Sequence, residues 1–115
     1  MYKITENYID KKAKNLWDDI TTALSGKKIQ IESIQKVNYN IINTSNNLIE
    51  YQADTRNNKI PEEISKDECI DFLKVLIKEV EFNTSTIKKQ IKSSLYQKRS
   101  PMFAILLYTG IIEKY

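Results

Sequence analysis

The chain has 115 residues, 41% hydrophobic and 29% charged, with two glycines, two prolines, one cysteine and no histidine. That composition fits one folded, soluble domain and excludes disordered, collagenous and disulfide-stapled chains. The formal charge of +3 is small, but its distribution is uneven.

From Thr5 to Ser25, Ile9, Ala13, Leu16, Trp17, Ile20 and Leu24 recur at three- and four-residue steps. The spacing predicts an amphipathic helix, with Thr5 as N-cap and Gly26 as its stop. The period then changes to two. Ile29 with Ile31, Val37 with Tyr39 and Ile41, and Ile49 with Tyr51 and Ala53 predict three antiparallel strands, with turns at 44–47 and 56–58. A short fourth strand is expected in KIPEEI, and Pro61 confines it to an edge.

Helical spacing returns at Ser65, where Ser65 and Glu68 read as a capping box and Ile64 with Cys69 as its hydrophobic staple. Cys69, Phe72, Leu73, Leu76, Ile77 and Val80 form the expected buried stripe. A third helix is expected from Thr84 or Ser85, with Ile87, Ile91 and Leu95 four apart on one face. The last, with Ser100 as cap, Pro101 at its first position and Gly110 at its end, has almost no polar face and must be covered by the rest of the fold. IIEKY then pairs as an edge strand or packs. The fold class is α+β: an N-terminal helix, a three- to four-stranded antiparallel sheet and three C-terminal helices, all in one domain over 1–115. This is a winged-helix-like layout.

Several chemistries lack their residues. With no histidine and a single cysteine, the commonest general base and a structural zinc site are both missing. Glycines at only 26 and 110 exclude phosphate-cradling loops and the nucleophile elbow. The adjacent pairs Asp18 with Asp19 and Glu62 with Glu63 diverge on any regular backbone, and Glu68 already has a capping role. The DTRNNKIPEEI segment lacks the glycine and alternating oxygen ligands of a calcium loop. No catalytic residue, metal or cofactor is expected. The lone cysteine and the absence of an apolar N-terminal segment suggest a reducing cytoplasm. The longest apolar run, PMFAILLYTGII, is too short for the roughly 20 residues of a membrane span.

A cationic stretch remains. Between Phe82 and Ile112 lie Lys88, Lys89, Lys92, Lys98 and Arg99 without a carboxylate, leaving thirteen cations against fifteen anions elsewhere. Tyr96 and Gln97 interleave with them, and Arg56 and Lys59 in the 54–60 loop can extend the surface. Such an excess suits phosphate contacts, although a solvated lysine face reads the same way.

The segments LSGKKIQIES, NYNIINTSNNLIEYQADTRNNKIPEEISKDECIDFLKVLI, NTSTIKKQI and SPMFAILLYTGII together resemble a small α+β module that accompanies prokaryotic restriction-modification and related defence enzymes. Gly26, Lys27, Arg56, Ile64, Ser65, Thr86, Ile87, Ser100, Ala104, Ile105 and Leu106 carry the resemblance. It implies an auxiliary DNA-binding or targeting module without catalytic residues of its own; separately, the exposed edge near Ile111 could serve a homodimer, as small DNA binders often form. The alternative is a protein-binding inhibitor or adaptor from a phage or mobile element, anti-CRISPR-like, acting on a host defence complex.

Overall fold

Strand alternation decides the N-terminus before helical spacing does. Tyr2 and Ile4 are buried and Lys3 exposed along β1 (Tyr2–Ile4), and a 3₁₀ turn at Glu6–Tyr8 leads into α1 (Ala13–Leu24). In this computed structural model, which describes residues 1–26, 29–54 and 60–115, the start of the first helix thus moves from Thr5 to Ala13. Thr5 caps no α-helix. Its Oγ1 donates to the Gly110 carbonyl at 2.6 Å and its N–H to the Ile111 carbonyl at 2.8 Å. Ile9 consequently leaves the stripe and is 57% exposed, while Leu16, Trp17, Ile20 and Leu24 keep their spacing and are buried.

The strands β2 (Ile29–Glu32), β3 (Asn38–Thr44), β4 (Leu48–Ala53) and β5 (Glu62–Ser65) form one antiparallel sheet in sequence order. Period two puts Ile29, Ile31, Tyr39, Ile41, Ile49, Tyr51, Ala53 and Ile64 on the covered face. A bulge shifts the register between Ile41 and Asn43. The strand expected after Pro61 is β5, at an edge as proline requires. In the 44–47 turn Ser45 Oγ accepts the N–H groups of Asn47 and Leu48. The turn expected at 56–58 lies outside the described residues.

The helix α2 (Lys66–Ile77) begins on both arms of the capping box. Glu68 N–H donates to Ser65 Oγ at 3.1 Å, and Ser65 N–H donates to the Glu68 carboxylate at 3.0 Å. Ile64 and Cys69 are both buried beside it. Val80, expected in the stripe, lies past the helix end and is 91% exposed.

Two further helices, α3 (Ser93–Tyr96) and α4 (Arg99–Tyr108), precede β6 (Ile112–Lys114), which pairs antiparallel with β1. Pro101 occupies the third position of α4 rather than the first, still within the turn whose N–H groups have no intrahelical acceptor. Ser100 does not cap; it accepts the Tyr39 hydroxyl at 3.0 Å. At the other end Gly110 adopts φ +79°, with Ile111 N–H on the Leu106 carbonyl at 3.0 Å and Gly110 N–H on the Leu107 carbonyl at 3.2 Å. These are the two bonds of a Schellman stop.

Pro101 to Leu106 are all buried, as the nearly all-apolar composition of α4 requires. The Phe103 ring meets Tyr2, Phe72 and Phe82 edge to face at 5.7, 5.9 and 6.0 Å, joining α4 to β1, α2 and the segment after it.

Candidate nucleic-acid interface

The expected third helix is broken into pieces. Asn83 Oδ1 accepts the N–H groups of Ser85 and Thr86 at 2.8 and 2.9 Å, and Thr86 Oγ1 accepts Asn83 N–H at 3.0 Å. These side chains supply the backbone with partners that a helix would otherwise provide, so the chain turns here. A 3₁₀ turn covers Lys88–Gln90, Ile91 is extended at φ −121° and ψ 140°, and only then does α3 begin. Ile87, Ile91 and Leu95 are nonetheless all buried. The four-residue spacing found the anchors correctly, but three separate turns present them, and Lys88, Lys89 and Lys92 project to solvent between them.

Tyr96 organises one side of this surface. Arg99 holds its guanidinium carbon 4.3 Å from the ring centroid while Nη1 donates to the Tyr96 carbonyl at 3.1 Å, and Lys88 Nζ lies 6.0 Å from the same ring. Among the described residues Lys88, Lys89, Lys92 and Arg99 form no ion pair, whereas Lys3, Lys11, Lys36 and Lys98 each have a carboxylate within 4 Å.

Lys98 departs from the group. Its Nζ donates to the two Glu68 carboxylate oxygens at 3.0 and 2.9 Å and to the Glu63 carbonyl at 2.7 Å. Partial burial works to raise the pKa of Glu68, but hydrogen bonds from Ser65 and the ammonium of Lys98 outweigh it, and the carboxyl sits below its ordinary value. Gln97 is exposed on the other flank of α3. With Ser94, Lys98 and Ser100 it faces Tyr39, Tyr51 and Glu62 across a groove of about 450 Å³. Burial, reinforced by Glu62, raises the Tyr51 hydroxyl far above the ordinary tyrosine range, so it stays protonated.

Arg56 and Lys59 lie outside the described residues. The β3–β4 tip is held by the helices: Trp17 Nε1 donates to the Asn46 carbonyl at 3.0 Å and Lys66 N–H to the Asn47 carbonyl at 2.7 Å. The loop beside Arg99 is the β2–β3 turn, whose Ile34 and Gln35 line a small cavity with Arg99 and Ser100. No periodicity signals that neighbour, because it depends on how α4 crosses the sheet.

The remaining candidates for chemistry have structural partners. Asp19 holds Lys11 Nζ at 2.8 Å, and that bond raises the lysine pKa. Burial pushes the Cys69 thiol up to about 12, leaving little nucleophilic thiolate near neutral pH. Among the described residues no three His, Cys, Asp or Glu side chains are grouped to hold a metal ion, and no helix is long and apolar enough to cross a membrane. Comparison with known proteins gives no match to a protein-family model, to a curated protein or to a solved structure.

Proposed function

We propose that this chain is a non-enzymatic DNA-binding module that contacts phosphates through Lys88, Lys89, Lys92 and Arg99, and that it serves prokaryotic defence or mobile elements. The observation that carries the reading is local composition: Lys88, Lys89, Lys92 and Arg99 lie in one stretch that contains no carboxylate, and among the described residues none of the four forms an ion pair. Among the described residues the sheet's solvent side carries Glu32, Glu50 and Asp54, the opposite sign, which would turn from the polyanion.

Because α4 is buried, it is not itself offered to a groove, and recognition at the cationic corner acts at the level of backbone and shape. Ser93 and Gln97 add hydrogen bonds beside the cations. The resemblance to restriction-modification modules supports the link to defence.

The test is electrophoretic retardation of duplex DNA over a salt series. Four phosphate contacts give a log–log slope of roughly −3 to −4. Replacing Lys88, Lys89, Lys92 and Arg99 by Glu abolishes retardation, whereas Lys98→Met leaves the slope within experimental scatter. No retardation at low salt would overturn the reading in favour of a protein-binding inhibitor or adaptor.

A further inference from the structure

The two edges of the four-stranded sheet are finished differently. Pairing of β4 with β5 at Ile49 with Ile64 and Tyr51 with Glu62 points the main-chain groups of Glu63 and Ser65 outward. Lys98 Nζ takes the Glu63 carbonyl at 2.7 Å, the Glu68 carboxylate takes the Ser65 N–H at 3.0 Å, and Pro61 precedes the strand. That edge is closed to another strand. At β2 the Ser33 N–H bond to the Val37 carbonyl fixes the ladder phase, so Ile29 and Ile31 bond to β3 while Gln30 and Glu32 direct their N–H and C=O groups outward. Both residues are exposed, and no side chain among the described residues caps these groups.

We infer that two copies of this chain pair antiparallel through β2, joining their sheets into one of eight strands. A twofold axis at Ile31 sets Gln30 against Glu32 of the second copy and Glu32 against Gln30, so every outward main-chain group of these two residues is bonded. The neighbouring register centred on Glu32 would oppose two carboxylates and is disfavoured. Ile29 and Ile31 of both copies extend the covered face, and the exposed Ile34 (45%) and Ile42 (48%) flank the seam. An isologous contact of this kind closes at two copies, because the β5 edges left at either end are plugged.

Four main-chain hydrogen bonds set against the loss of translational freedom make a weak dimer, with a dissociation constant on the order of 100 µM. Sedimentation equilibrium of the full chain without DNA, up to on the order of 1 mM, should show the mass rising from monomer to dimer and no further. Gln30→Pro removes an outward N–H without touching the β3 ladder and should hold the chain monomeric with its helical circular dichroism intact. If that variant misfolds, Gln30→Lys, facing Glu32 of the second copy, should tighten association several-fold, and Gln30→Glu should weaken it by a similar factor. A monomer at every concentration, or a dimer indifferent to all three changes, overturns the inference.

Discussion

Lys98 shows how a residue can satisfy a sequence pattern and serve another purpose. It adjoins Arg99 in the most cationic stretch of the chain, yet its ammonium closes the β5 edge and neutralises Glu68. Replacing it with Met keeps the stem but leaves the Glu68 carboxylate and Glu63 carbonyl without their donor. The expected loss is about 1–2 kcal/mol at neutral pH, measured by urea denaturation and modest because the pair is partly solvated. The pH dependence follows from the lowered Glu68 pKa. Its stabilisation is fully present above the ordinary value of 4.5 and disappears as pH falls through the lower folded value, so the two proteins should converge in stability in acid.

Elements were legible where a local rule has one solution. The capping box at Ser65 has one, and so does Gly110, whose φ of +79° strains any residue with a Cβ even though the space beside it is open. Gly110→Ala is expected to cost about 1–2 kcal/mol, read as a fall in Tm, with the β1 contacts at Thr5 weakening alongside. The first and third helices were less legible for a shared reason. Ile9 and the 84–92 segment match helical spacing, but competing partners lie far away in sequence or in side chains: β6 claims β1, and Asn83 with Thr86 claims the turn. A period records which residues face inward and is silent about strands that close across the whole chain.

At the scale of the molecule, the described residues set a cationic corner at 88–99 apart from a sheet face that carries Glu32, Glu50 and Asp54. The unequal counts were visible in the sequence, but which lysines are paired was not, since Lys98 meets Glu68 thirty residues away. If the acidic face only repels DNA at long range, Glu50→Lys should strengthen retardation about two- to threefold in dilute buffer. The gain should vanish near physiological salt, where the Debye length is about 8 Å. Binding enhanced equally at high salt would instead mean that DNA touches the sheet.

The pairing of β1 with β6 brings Tyr115 N–H within 3.3 Å of the Met1 carbonyl. Anything fused to both ends therefore leaves the globule from a single spot, and a tether pulled from residues 1 and 115 would peel the two strands apart rung by rung rather than shear them together. Such a ribbon opens at low force, and a short peptide bridging that spot would yield a cyclic chain that can be reopened at a distant surface turn.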